Sequence, residues 1–232
     1  MNFAIILSGG IGSRMRKDGF PKQYIEVEGK PILVYTLEKF QKNDSIDKII
    51  IVAENVWQDK IHEWIQKYQL DKCVDTAPAG KSRQESIYHG LKKCISDQTN
   101  EGDIVIIHDG VRPLLSDDLI ANCIREAEKH DGCMPVLQVT DTVYQSRDGK
   151  KISALLERDF LYAGQAPEAF KLKKYYELNS TMTAEQFGEI HGSSEIAYKN
   201  GLDIALIPGE DFNFKLTTPA DLTRFESIVR GE

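Results

Sequence analysis

Leu7-Ser8-Gly9-Gly10-Ile11-Gly12-Ser13-Arg14-Met15 follows directly on a short apolar run, and its composition suits phosphate binding. Glycines after a strand let the backbone turn sharply and bring its N–H groups close to an anion. Neither common nucleotide motif fits. A Walker A loop ends in Gly-Lys-Ser/Thr, and a dinucleotide fingerprint needs a third glycine where this chain has Met15. Instead the loop carries Arg14 and is followed by Phe20-Pro21-Lys22-Gln23, with Pro21 fixing the approach to Lys22. Two cations therefore stand beside a backbone anion cradle. The competing reading is a plain glycine turn with solvated charges, and the presence of both cations weighs against it.

Ile107-His108-Asp109-Gly110-Val111-Arg112-Pro113 lies at the expected C-terminal end of another strand. Open α/β sheets bind ligands beyond those ends, which puts Asp109 in the expected crevice. A lone carboxylate next to glycine suits Mg²⁺, which takes one or two carboxylates and fills its other positions with phosphate oxygen and water. The alternative is that Asp109 only caps a helix. His108 is read as structural rather than as an acid or base. Ala79-Gly80-Lys81-Ser82-Arg83-Gln84-Glu85-Ser86 joins a glycine turn to a helix N-terminus, a favourable place for base, ribose or phosphate contacts. Asn213-Phe214-Lys215-Leu216-Thr217-Thr218-Pro219 sets a lysine before a capped helix; taken alone, Lys215 is a surface lysine.

The elements that must position these residues follow from apolar spacing. Phe3 to Leu7, Lys48 to Ala53 and Ile104 to His108 are short, Ile- and Val-rich runs that predict buried strands. Between and around them, residues 32–40, 57–68, 87–95 and 119–127 place apolar side chains three and four apart, the pattern of an amphipathic helix. The alternation predicts an α/β fold: a three-layer, Rossmann-like, mainly parallel sheet with helices on both faces. Residues 132–165 break the rhythm. Two alternating segments flank Asp148-Gly149, a strong hairpin signal, and predict a protruding β-hairpin arm at about 134–158. Such an arm needs a partner to bury its apolar side. Helix (187–200, interrupted at Gly192), strand (202–207) and a last helix opening at Thr218-Pro219 complete one domain over 1–232.

Composition narrows the classes. With 29 Lys and Arg against 36 Asp and Glu, the net charge of −7 argues against a general nucleic-acid or anionic-membrane binder. No apolar run approaches the roughly 20 residues of a membrane span, and residues 1–7 lack the basic start of a signal peptide. Cys73, Cys94, Cys123 and Cys133 show no metal-ligand spacing, so they are expected as reduced thiols in a cytoplasmic protein.

In their order along the chain, SGGIGSRM, FPKQY, GKPILVYTLEKF, GKSRQESI, IIHDGVRP, VTDTV, ERDFLY and FNFKLTTPADL resemble the polyol-phosphate cytidylyltransferases. That group includes 2-C-methyl-D-erythritol 4-phosphate and ribitol-5-phosphate cytidylyltransferases. LSGGIGSRM, Trp57 and HDGVRP are more similar to the ribitol-phosphate branch, whereas the methylerythritol enzymes more often read AAGxGxRM and HDAARP. The resemblance implies that Leu7, Ser8, Gly9, Gly10 and Gly12 wrap the phosphates and cytosine of CTP, and that Gly80 and Ser86 line the base and ribose pocket. It implies that Arg14, Lys22 and Lys215 hold phosphates in catalysis and that Asp109 binds Mg²⁺. Arg112, Thr142, Arg158 and His191 match positions facing the acceptor, with Thr142 and Arg158 supplied by the partner's arm in a homodimer. The implied reaction joins CTP to a polyol phosphate, giving a CDP-polyol, a wall or capsule precursor, and pyrophosphate. Alternatives are methylerythritol phosphate as acceptor and, more remotely, a sugar-1-phosphate nucleotidyltransferase. A non-enzymatic nucleotide-binding module is disfavoured by Lys22, Asp109 and Lys215 standing together. The chain departs from the family at Gln165-Ala166-Pro167-Glu168, where relatives read Gln-Thr-Pro-Gln, and at Ile190-His191-Gly192-Ser193-Ser194-Glu195. One reading is that these loops drifted while specificity stayed. The other, taken as the expectation, is that nucleotide choice holds while the altered hydrogen-bonding groups shift the acceptor.

Overall fold

Apolar side chains in the first strands point alternately to two sides, and both sides are covered. The structure is a computed structural model describing residues 1–10 and 20–232. It opens with β1 (Asn2–Leu7), then a 3₁₀ turn at Lys22–Tyr24, a small hairpin of β2 (Glu26–Val27) and β3 (Lys30–Pro31), and α1 (Ile32–Lys42). β4 (Lys48–Ala53), α2 (Asn55–Lys67), β5 (Cys73–Pro78) and α3 (Arg83–Cys94) follow. Next come β6 (Ile104–Asp109), α4 (Asp117–Lys129) and β7 (Gly132–Gln138), then the hairpin strands β8 (Tyr144–Gln145) and β9 (Ala154–Leu155). β10 (Tyr162–Gly164), β11 (Glu168–Lys171), α5 (Leu172–Ser180), α6 (Ala184–Glu189), α7 (Ser193–Lys199), β12 (Ile204–Pro208) and α8 (Pro219–Arg230) complete the chain.

The main sheet runs β10-β7-β11-β6-β1-β4-β5, with β12 also on β7. β1, β4, β5 and β6 are mutually parallel, as are β7 and β12, while β10 and β11 run antiparallel to their neighbours. Ala4, Ile6, Ile49, Ile51 and Ile106 face α1 and α4, where Leu37, Phe40, Ile120 and Cys123 meet them. Phe3, Ile5, Ile50, Val52 and Ile107 face the opposite way, onto Ile87, Leu91 and Tyr175. Each fully buried Ile or Leu contributes about 1.5–3 kcal/mol, so the two apolar seams dominate stability and give the expected three layers.

Local signals set the helix ends. Ser116 caps α4 by accepting a hydrogen bond from the Leu119 N–H, with Asp117 and Asp118 in the first turn and Lys129 in the last, both complementing the helix dipole. Thr218 and Asp221 form a capping box at α8, with Pro219 at its first position and left-handed Gly231 (φ 74°) after its end.

The expected strands and helices are present, with some differences. β2, β3, β5, β10, β11 and α5 were not expected. The predicted arm is shorter than 134–158, because Met134–Gln138 lies within the main sheet as part of β7. The hairpin itself is β8 paired with β9, closed where Asp148 accepts from the N–H groups of Lys150 and Lys151 beside left-handed Gly149 (φ 69°). Tyr144, Ile152, Leu155, Phe160 and Tyr162 are exposed on and around it. Among the described residues no helix is long and apolar enough to cross a membrane.

Candidate active site

β1 and β6 are neighbours in register, with Leu7 opposite Asp109, while β4 and β5 extend the sheet to the other side of β1. The chain thus leaves the sheet in two directions beyond these strand ends, the crevice where open α/β sheets hold ligands. A cleft of about 540 Å³ opens there. It brings together Leu7, Ser8, Gly9, Gly10, Lys22, Gly80, Ser86, Asp109 and Lys215, from five separate stretches of chain. Gly12 and Arg14 lie outside the described residues.

The loop after β1 is held from below. Gln23 Nε2 donates to the carbonyls of Ser8 (2.6 Å) and Gly10 (3.1 Å), and the Tyr24 hydroxyl donates to the Ser8 carbonyl (3.1 Å). These bonds explain the residues after Lys22: the 3₁₀ turn that carries the lysine also ties down the glycine loop. Burial pushes the Tyr24 phenol up to about 12, so it stays a donor at neutral pH. Gly9 passes so close to the segment after β5 that a Cβ on it would lie 2.4 Å from that of Ala79. A Cβ on Gly80 would lie 2.6 Å from Glu85 Cγ and 2.8 Å from the Ser86 nitrogen. The turn into α3 is further closed by the Gly80 N–H donating to Ser86 Oγ, which in turn donates to the Ser82 carbonyl, each at 2.9 Å.

Electrostatics converge on Asp109, which is 7% exposed. Its carboxylate has Lys215 Nζ at 3.0 Å, Arg112 Nε at 3.3 Å and Arg83 Nη2 at 3.6 Å. Burial alone would raise its pKa; Arg83, Lys215 and Arg112 outweigh that and hold it well below the usual carboxylate range. The helix-cap alternative for Asp109 is not realised, since it ends β6 and the next helix opens at Asp117. Lys215, unremarkable by itself in the sequence, is held over this carboxylate because the Leu216 N–H donates to the Val111 carbonyl (3.0 Å) and Leu216 packs with Val111 and Phe225 of α8. His108 is fully buried, its Nε2 at 3.0 Å from the Arg112 carbonyl. Burial lowers its pKa to about 4, which leaves the ring neutral at neutral pH.

A second cleft of about 360 Å³ adjoins the first and shares Arg83 and Asp109 with it. Arg112, His191, Glu168 and Ser194 line it. Arg83 was not singled out in the sequence as a site residue. Its signal was its place as the first residue of a capped helix after a glycine turn, which aims it at the strand ends. Its guanidinium lies between Asp109 and Glu168, 3.7 Å from the latter. Burial would lower its pKa, but the two carboxylates raise it, so it is a permanent cation. Thr142 and Arg158 are not brought to either cleft of their own chain; both are exposed beside the hairpin, where Arg158 Nη1 donates to the Thr140 carbonyl (2.8 Å). A third hollow, lined by Phe20, Trp57 and Trp64, shares no residue with these two.

A glycine-lined crevice ringed by lysines and arginines at parallel strand ends defines a nucleotide-handling α/β enzyme. The chain matches the family model of 2-C-methyl-D-erythritol 4-phosphate cytidylyltransferase (IspD) over residues 2–231. It is 32% identical over 229 residues to the ribitol-5-phosphate cytidylyltransferase of Vibrio parahaemolyticus serotype O3:K6 (strain RIMD 2210633), covering 99% of this chain and 96% of that one. Among solved structures it is similar to 4-diphosphocytidyl-2C-methyl-D-erythritol synthase of Anaerococcus prevotii DSM 20548, with a TM-score of 0.82 and 27% identity over 99% of this chain and 96% of that one. The Francisella tularensis 2-C-methyl-D-erythritol 4-phosphate cytidylyltransferase gives a TM-score of 0.79 and 25% identity, over 97% and 99%. The chain belongs to this IspD family and is a CTP-dependent cytidylyltransferase.

Proposed function

We propose that the protein transfers CMP from CTP to a linear alditol phosphate, D-ribitol 5-phosphate above all, giving a CDP-alditol and pyrophosphate. The observation that carries this reading is the wall of Asp109 and Arg83 common to both clefts, where a triphosphate in the first and an acceptor phosphate in the second would meet. The choice of acceptor is supported by the 32% identity to a ribitol-5-phosphate cytidylyltransferase over almost the whole of both chains. The product would serve as an activated precursor of a wall or capsule polymer. We read 1–232 as one nucleotidyltransferase domain working in the cytoplasm.

An acceptor phosphate carries about −1.5 to −2 charges at neutral pH, so its oxygen needs no general base. That agrees with a neutral, buried His108. The oxygen attacks the α-phosphorus; a new P–O bond forms, the bond to the bridging β-phosphate oxygen breaks, and pyrophosphate leaves with that electron pair. The obstacle is the approach of two anions. Arg14, Lys22 and Lys215 hold the triphosphate and stabilise charge developing on the transferred group. Leu7, Ser8, Gly9, Gly10 and Gly12 wrap the phosphates and cytosine, Gly80 and Ser86 border base and ribose, and Arg112 and His191 face the acceptor. Thr142 and Arg158 would reach the acceptor of a second copy of the chain.

Asp109 suits a metal ion: it is ionised, and its Oδ1 has Arg83 at 3.6 Å, beyond hydrogen-bond reach. Among the described residues no group of three or more His, Cys, Asp or Glu is placed to hold one, so Mg²⁺ would rest on Asp109 and substrate phosphate. When bound, it would offset phosphate charge in the displacement.

The family description and the two solved relatives favour methylerythritol phosphate as a second reading. Pyrophosphate release with CTP and Mg²⁺ across a panel of polyol phosphates separates the two. We expect strict CTP use, good activity on ribitol 5-phosphate and weak activity on methylerythritol phosphate. An efficiency on the latter equal to or above every alditol phosphate overturns the assignment.

A further inference from the structure

Glu168 lines the second cleft at 7% exposure, and the displacement described above gives it no part. It opens β11 opposite Ile107 of β6, so it lies at the same end of the sheet as Asp109. Its two carboxylate oxygens are used differently. Oε2 accepts from the Ser194 N–H (2.8 Å) and from Ser194 Oγ (2.6 Å), which fixes the plane of the carboxylate. Oε1 has the Arg83 guanidinium at 3.7 Å, too far for a hydrogen bond, and accepts none among the described residues. Oε1 is not among the fully buried polar atoms that lack a partner, so it is open to the cleft that Glu168 lines, and a carboxylate oxygen there can accept from a ligand. The two departures noted in the sequence, Glu168 and the 190–195 stretch, are one feature in space: Ser194 of the second clamps the carboxylate of the first.

We propose that Glu168 is the specificity-determining residue for the acceptor, its Oε1 accepting hydroxyl hydrogens from the polyol chain beyond the phosphate. The inference rests on the second cleft being the acceptor site. A carboxylate held from one side by Ser194 presents its other oxygen without reorganising, and sites built to bond a hydroxyl reject analogues that lack it. The class selected is an uncharged acceptor tail with a hydroxyl on each carbon. A methyl branch sets an apolar group against Oε1 beside the hydroxyl it would bond, a shorter chain fails to reach it, and an anionic tail is repelled. The Gln that relatives carry at this position can donate as well as accept, so it imposes no such choice. Arg83, which lies between Asp109 and Glu168, keeps the selecting carboxylate in line with the carboxylate that borders both clefts.

The test is Glu168→Gln in the full chain, assayed with CTP and Mg²⁺ on ribitol 5-phosphate, erythritol 4-phosphate, glycerol 3-phosphate and methylerythritol phosphate. The expected result is a KM for ribitol 5-phosphate raised at least tenfold, a KM for CTP within twofold of the parent, and a flattened preference across the series. Equal losses on all four acceptors, or a raised KM for CTP, overturn the inference and leave Glu168 as a clamp on the loop before α7. If Glu168→Gln does not fold, Ser194→Ala keeps the carboxylate, removes the hydroxyl bond to Oε2 while the backbone N–H still donates, and is read by the same ratio of acceptors. Failure of the parent enzyme on every alditol phosphate would overturn the functional reading itself, before any variant is made. A normal parent whose preference survives both substitutions overturns only the role of Glu168.

Discussion

Asp109 is the residue on which the site turns, since both clefts border it and three cations surround it. Removing one preorganised electrostatic partner from a phosphoryl-transfer site typically costs about 3–4 kcal/mol of barrier. Lys22→Ala and Asp109→Asn should therefore each lower kcat at least about a hundredfold while circular dichroism stays unchanged. Near-parental turnover in a folded variant would remove that residue from the mechanism. His108 makes a separate prediction about stability. Its folded pKa, about 4, lies below the unfolded value of 6.5, so the unfolded chain binds the extra proton between those values. The stabilisation is complete above pH 6.5 and is lost as pH falls towards 4, by about 3 kcal/mol. Urea unfolding at several pH values should show this slope, and His108→Asn should lose that share of it. Lys22 and Asp109 were legible in the sequence because each stands beside a glycine or proline that announces a turn. Arg83 was not: beside Lys81 it is one more cation, until α3 fixes where it points.

At the scale of elements, the turn between β5 and α3 forms one wall of the first cleft, and it is packed without spare room. Gly80→Ala sets a methyl against Glu85 and Ser86. The turn must then swing away from the cleft, since overpacking costs about 1–3 kcal/mol. The expected outcome is a KM for CTP raised about tenfold or more with a small loss in melting temperature. An unchanged KM would show that this turn does not border the nucleotide. β1, β4 and β6 were plain in the sequence because strands buried on both faces must be apolar throughout. β5 escaped notice because it is the edge strand Cys73-Val74-Asp75-Thr76-Ala77-Pro78, half exposed and partly polar. β11 escaped because four residues, Glu-Ala-Phe-Lys, are too few to show a period, and only the gap between β6 and β7 calls for them.

At the scale of the molecule, the hairpin between β7 and β10 leaves Tyr144, Ile152, Leu155, Phe160 and Tyr162 in solvent, more apolar surface than a lone two-stranded hairpin carries comfortably. Thr142 and Arg158 stand beside it, away from both clefts of their own chain. We therefore expect a homodimer in which each hairpin serves the neighbouring site. Mixing Lys215→Ala chains with Arg158→Ala chains should then regain activity, because one site per heterodimer escapes both lesions. Heterodimers confirmed by mass that remain as inactive as either parent would refute the shared site. The arm was legible through Asp148-Gly149. Its base was not, since Met134–Gln138 alternates like the arm and only the pairing with β10 and β12 assigns it to the sheet.

The contact between Gly9 and Ala79 restricts the order in which this chain could have changed. Many methylerythritol enzymes carry alanine at the position of Gly9, within their AAGxGxRM. In this fold, that methyl would arrive 2.4 Å from the methyl of Ala79, so the two alanines exclude each other. A lineage passing from one form to the other must lose the methyl at 79 before it gains one at 9, and the reverse order crosses a non-functional intermediate. Gly9→Ala alone should cripple CTP binding, Ala79→Gly should be tolerated, and the double variant should recover most of the activity. Branches that differ at position 9 should therefore differ at position 79 in the opposite sense.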